Sequence, residues 1–144
     1  MNNIEQTLSI IKPDAVERNL TEDIKKIFIE NDLKIINSKK IHISKEEAAE
    51  FYKVHQVRPF YNDLCNYLSS GPIFVMVLEG QNAITLNRKL MGATNPKDAE
   101  PNTIRKLYGI SIDKNSAHGS DSIENAKKEI NFWRKNLFQF FHFQ

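Results

Sequence analysis

The stretch Ile73-Phe74-Val75-Met76-Val77-Leu78 constrains the fold more than any other part of the chain. It is apolar at odd and even positions alike, so a strand formed here has no face suited to water. It predicts a central strand covered on both sides by helices or by further sheet. It is far too short to span a bilayer. Ser69-Ser70-Gly71-Pro72 ahead of it and Gly80 behind it mark its ends. A chain of 144 residues has room for one core of this kind, and a single domain over residues 1–144 is the expectation.

The flanking patterns supply partners for that strand. Leu8 and Ile10 alternate with Thr7 and Ser9 in a first strand, which Pro13 ends, leaving Lys12 at the strand's tip. Thr21 is placed as the N-cap of a helix with Ile24, Ile27 and Phe28 on its inner face. Residues 33–43 alternate in places and read as a second strand. Ser44 and Glu47 form a capping box for a helix in which Ala48, Phe51, Tyr52 and His55 share a face. Arg58-Pro59 breaks it, and Phe60, Leu64, Tyr67 and Leu68 define a short helix. Asn82 is placed as the cap of a helix through Arg88 and Met91, closed by Gly92. From 93 to 115 the periodicity dissolves into a long loop, a length that is usually functional or disordered. Asp121 with Glu124 is placed as a capping box for a last helix bearing Ile123, Ala126, Ile130 and Trp133. The phenylalanine-rich tail beyond it is expected to pack on the body or on another subunit. Few strands interleaved with helices imply an α/β or α+β sandwich.

Twenty basic residues nearly balance eighteen acidic ones, so no global field favours nucleic acid or membrane, and an anion site must be a local cluster. Cys65 is the single cysteine, which excludes an internal disulfide and a thiolate metal cluster. The first six residues carry no secretory pattern, and a reducing, cytoplasmic setting is expected. His42, His55, His118 and His142 lack metal-ligand spacing. There is no Gly-rich phosphate loop and no G-x-S-x-G elbow, so Ser120 is a poor acyl-transfer nucleophile. Phosphate would be held by side chains, with Lys12, Arg58, Arg88 and Arg105 as candidates. In Asn115-Ser116-Ala117-His118-Gly119-Ser120-Asp121-Ser122, a histidine is followed by two hydroxyls and an acid, and Glu129 lies two turns into the next helix. Taken alone, the stretch also reads as a polar turn before an amphipathic helix. A neutral imidazole oriented by a carboxylate is, however, a good nucleophile toward phosphorus.

His118-Gly119-Ser120-Asp121-Ser122 resembles the active-site signature of the nucleoside diphosphate kinase family. Lys12-Pro13-Asp14-Ala15-Val16, Arg58-Pro59-Phe60-Tyr61, Ser70-Gly71-Pro72 and the pair Gly92-Ala93-Thr94-Asn95-Pro96 and Pro101-Asn102-Thr103-Ile104-Arg105 resemble other family segments, in order and in register. The resemblance implies a ferredoxin-like sandwich with a four-stranded antiparallel sheet covered by helices. It implies ping-pong transfer of a terminal phosphate from a nucleoside triphosphate, with ATP the expected donor, to a nucleoside diphosphate, with Mg²⁺. His118 would be phosphorylated on Nδ1, and Glu129 would hold its Nε2. Lys12 and Tyr52 would assist. Phe60, Ile112 and Leu64 would contact the base, Lys12 and Asn115 the ribose, and Arg88, Thr94, Arg105 and His55 the phosphates. Ser120 would support Glu129. A homo-oligomer, hexamer before tetramer, is implied; membrane and nucleic-acid partners are not.

The chain departs from the family pattern at Asn102, where glycine is usual, at Lys106-Leu107-Tyr108, and at Thr21-Glu22-Asp23-Ile24. Two other readings remain at this stage: a non-catalytic nucleic-acid- or protein-binding module on the same fold, and transfer of the phosphate from His118 to protein targets.

Overall fold

The computed structural model describes residues 4–53 and 56–136. Four strands, β1 (Ile4–Ile11), β2 (Lys34–Ile41), β3 (Ile73–Gln81) and β4 (Ala117–Gly119), form one antiparallel sheet in the order β2-β3-β1-β4. Around it lie α1 (Pro13–Glu17), α2 (Thr21–Glu30), α3 (Lys45–Phe51), α4 (Tyr61–Leu68), α5 (Ala83–Met91), α6 (Ile104–Tyr108) and α7 (Ile123–Asn136). This is the ferredoxin-like α/β sandwich.

β3 is central, as its two apolar faces require. Ile73, Val75 and Val77 join Leu8, Ile10, Cys65, Leu68, Ile130 and Trp133 in one core cluster. Met76 and Leu78 join Ile11, Ile24, Phe28, Met91, Ile104 and Ala117 in the other. The period-two alternation thus feeds two separate layers of packing. β2 pairs with β3 through a register shift between Ile35 and Asn37, which explains why residues 33–43 alternate only in places.

Several boundaries differ from the expectations for physical reasons. α2 is capped by Leu20, with no side-chain bond; Thr21 is its first residue and is buried. The Ser44–Glu47 box forms in both directions, but α3 stops at Phe51, so Tyr52 is its C-cap rather than a residue on a continuing face. His55 lies outside the described residues, as do His142 and the phenylalanine-rich tail. Asn82 sits at φ +53° with no side-chain cap; Glu5 Oε1 instead accepts from Ile84 N at 3.2 Å, so β1 supplies the cap. α7 starts from Ser122, whose Oγ accepts from Asn125 N at 3.1 Å, while Asp121 accepts from the Asn125 side chain. The cap therefore falls one residue after Asp121, because Ser122 C=O takes the first helical bond, from Ala126 N. The loop 93–115 contains α6, which Thr103 caps by accepting from Lys106 N. α1 also lacked a periodic signal: it is five residues long and begins on Pro13, where proline's fixed φ suits a first helical turn.

Trp133 is fully buried on the face shared by β1, β3 and α7. Trp133→Ala is expected to lower unfolding free energy by about 3–5 kcal/mol, read from denaturant midpoints at unchanged slope.

Candidate active site

His118 is the middle residue of β4 and pairs with Ile10. Residues directly opposite share a face, so its ring lies on the side of the first core cluster. There Phe51 meets it edge-on, with ring centroids 5.3 Å apart. Glu129, one turn before Trp133 on α7, places Oε1 at 3.0 Å from His118 Nε2. Ser120 Oγ donates to the same Oε1 at 2.8 Å. Gly119 is required by the layer beneath: a Cβ there would stand 2.3 Å from Asn87 Nδ2, on α5.

Cations converge from three segments. Lys12 leaves the end of β1, is buried, and donates from Nζ to Asn115 Oδ1 at 2.9 Å. Asn115 Nδ2 donates to Thr94 O at 3.0 Å, tying the long loop to the segment before His118. Arg105, on α6, donates to Gly92 O at 2.9 Å and to Ala117 O at 2.8 Å. Burial and then the Arg105 charge bring Lys12 down to about 8, against weaker upward contributions from Asp14 and Asp113. Burial and the nearby Arg88 lower Arg105 to about 10, so it stays charged at neutral pH. Burial and then the Glu129 charge push the Tyr52 phenol upward, which keeps it protonated. The side-chain bond from Asn125, helped by the Arg88 charge, holds Asp121 low.

The remaining predicted residues divide by exposure. Arg88 and Thr94 are exposed, on α5 and just after it. Phe60 and Ile112 are 40% and 54% exposed, large apolar side chains turned to solvent. The Arg58 guanidinium lies 5.8 Å from the Phe60 ring centroid. Leu64 is half-buried and packs against the first core cluster.

Four residues meet at the base of this site in contacts that the motifs did not signal. Ser116 has φ +74°, and Ala117 N donates to Asn115 O at 2.9 Å across it, a tight γ-turn immediately before β4. Ser116 Oγ donates to Asp14 Oδ2 at 2.9 Å. Asp14 is buried; it accepts from the Tyr67 hydroxyl, and its N–H donates back to that oxygen at 2.9 Å. Arg18 completes the group, donating to Asp14 Oδ2 at 3.1 Å and to Tyr108 O. No local pattern signals the bonds of Asp14 to Tyr67 and Ser116, which join residues 53 and 102 positions apart.

Residues 5–137 match the nucleoside diphosphate kinase family. A relative of that name from Nitratiruptor sp. is 58% identical over 130 residues, covering 90% of this chain and 95% of the relative. Another from Bartonella tribocorum is 56% identical, with 90% and 93% covered. The solved Aquifex aeolicus nucleoside diphosphate kinase superposes with a TM-score of 0.88 at 42% identity, covering 90% of this chain and 94% of that one.

The chain belongs to the nucleoside diphosphate kinase family.

With that membership comes the enzyme class, a phosphotransferase, and the non-catalytic module is left without support. Against the family pattern, Asn102 takes φ +68°, a left-handed conformation that asparagine tolerates better than most residues, so the loss of glycine is absorbed locally. Lys106 donates from Nζ to Lys97 O at 3.2 Å and so braces the loop rather than the cations. Among the described residues, no helix is long and apolar enough to cross a membrane.

Lys12 yields a test with a definite sign. Its amine is expected to titrate near 8 by isotope-edited NMR, and Asp14→Asn should lower that midpoint, because Asp14 favours the charged form. Between about 8 and the ordinary 10.5 the unfolded chain holds the proton that the folded site has released. This group's contribution to stability therefore rises with pH across that window, and Lys12→Met removes the rise.

Proposed function

We propose that the chain transfers the terminal phosphate of a nucleoside triphosphate to a nucleoside diphosphate in two half-reactions through His118. The 3.0 Å contact between His118 Nε2 and Glu129 Oε1 carries the reading. A carboxylate only accepts, so the ring proton is assigned to Nε2 and Nδ1 keeps its lone pair. In the first half-reaction Nδ1 attacks the γ-phosphorus. The N–P bond forms as the bond to the β,γ-bridging oxygen breaks, and the diphosphate leaves with that electron pair. In the second, a terminal phosphate oxygen of another diphosphate attacks the phosphohistidine, and Nδ1 recovers its lone pair. Glu129, itself held by Ser120, offsets the positive charge that the ring develops in both directions.

The other roles are assigned from the family pattern, with position and charge in support for the described residues. Arg88, Thr94 and the braced Arg105 cradle the phosphates. Lys12 and Asn115 contact the ribose hydroxyls and adjacent phosphate, and Tyr52 acts as a neutral donor beside the ring. Phe60 and Ile112 sandwich the base, supported by their exposure, and Leu64 backs them. Stacking reads no base edge, so base tolerance is broad. His55 is assigned to phosphate.

Among the described residues no three His, Cys, Asp or Glu side chains group as a metal site. The donor set therefore fits Mg²⁺ carried on nucleotide phosphates and waters rather than in a protein cage. When bound, the ion would neutralise charge on the phosphate oxygens. We further assign the chain as a single catalytic domain that forms a homo-oligomer, a hexamer before a tetramer. Exposed Ile29, Leu107 and Ile110 supply apolar surface for contacts between subunits. A cytoplasmic setting, where a lone thiol such as Cys65 stays reduced, suits the reaction.

Incubation with γ-labelled ATP is expected to leave acid-labile, base-stable phosphate on the protein, and His118→Ala should lose both the label and the exchange activity while keeping its circular dichroism. Active protein that never carries label would overturn the two-step route. Glu129→Ala should slow single-turnover labelling by about ten- to a thousandfold through lost orientation of the ring; an unchanged rate would remove Glu129 from the mechanism.

A further inference from the structure

The turn that leads into β4 is held in an unfavourable conformation by side chains with no assigned role in the reaction. Ser116 at φ +74° carries a Cβ where the backbone favours glycine, and the residue is fully buried. Such a conformation persists only where the surroundings over-determine it. Here they do so by name. Ser116 Oγ donates to Asp14, and Ser116 C=O accepts from Lys12 N at 2.9 Å. The turn is thus fastened at side chain and backbone to the segment that also bears Lys12. Two residues later the chain presents His118.

We propose that Asp14 is a positioning residue for phosphoryl transfer, its carboxylate locking Ser116 in the left-handed turn that sets His118 and Lys12 in mutual register. The assignment rests on His118 being the nucleophile. Asp14 is suited to the task because each oxygen has a separate partner. Oδ1 accepts from Tyr67, on the helix that follows Phe60. Oδ2 accepts from Ser116 and Arg18, and Arg18 reaches Tyr108 O at the end of α6. One buried carboxylate therefore joins the helix beside the proposed base site, the loop that carries Arg105, and the turn before the nucleophile. Its negative charge also favours the protonated form of Lys12.

The test separates the anchoring hydroxyl from the backbone it anchors. Ser116→Ala keeps the unfavourable Cβ and removes the bond to Asp14. Ser116→Gly removes the same bond but leaves no Cβ to strain. Single-turnover phosphorylation of His118 at saturating ATP should fall by about ten- to a hundredfold in Ser116→Ala. It should fall less in Ser116→Gly, with nucleotide affinity changed little in either. Asp14→Ala should match Ser116→Ala, and Asp14→Asn, whose amide oxygen still accepts from Ser116, should recover part of the rate. Rates are taken per folded molecule, from the calorimetric folded fraction, so a purely structural role would lower the melting temperature and leave them at the wild-type value. That result, or equal losses in the alanine and glycine variants, overturns the proposal. If Ser116→Ala does not fold, the Asp14→Asn and Ser116→Gly rates decide, and wild-type rates in both overturn it. Wild-type protein that takes no label would instead overturn the phosphohistidine reading itself.

Discussion

Three residue pairs, Ser9 with Gly119, Ile10 with His118 and Ile11 with Ala117, attach His118 to the sheet. A ladder this short on an edge strand has little register strength of its own, and a slip of one residue would turn His118 to the opposite face. Ser120 supplies what the ladder lacks. Its N–H donates to Leu8 O and its hydroxyl accepts from Leu8 N, each at 3.2 Å, extending the pairing beyond β4. The same hydroxyl donates to Glu129. One oxygen thus fixes both the strand register and the carboxylate that faces the imidazole.

The cations are assembled against their own repulsion. Lys12 and Arg105 are both buried, and each lies near another positive charge that disfavours its protonated form. Arg105 directs its donors at backbone carbonyls and Lys12 directs its amine at an amide oxygen, so neither charge is neutralised by a carboxylate in those bonds. On the proposed reading of these residues as a phosphate cradle, an arriving polyanion would relieve this stress and meet donors already oriented. That is electrostatic preorganisation: the unfavourable energy is met during folding rather than at the moment of reaction.

The layout was legible in the sequence wherever burial dictated composition. β3 announced its central place because no residue from Ile73 to Leu78 suits water, and the Ser44–Glu47 box and the helix of Trp133 followed from capping chemistry and spacing. The short pieces were not legible. α1 and α6 are five residues each, too brief for a helical period to emerge. The cap of α7 shifted because Asp121 and Ser122 are both competent caps and only the first backbone bond separates them. Ordered motifs named Lys12, Arg88 and Arg105, and also His118 and Glu129, which the structure brings to 3.0 Å of each other. They did not reveal the Asp14 group. Asp14 stands inside one of them, but its partners Tyr67 and Ser116 meet it only in the fold.

α7 carries Glu129 and Trp133 one turn apart, so the carboxylate that meets the imidazole and the largest side chain of the core ride on a single rigid rod. Neither can leave without the other. Loops that bear functional groups commonly open at little cost while the body stays folded, whereas here the rod cannot detach without exposing the indole. The contact between Glu129 and His118 should therefore persist up to the cooperative transition and vanish with it, so that this edge of the sheet loses its carboxylate and its core in one step.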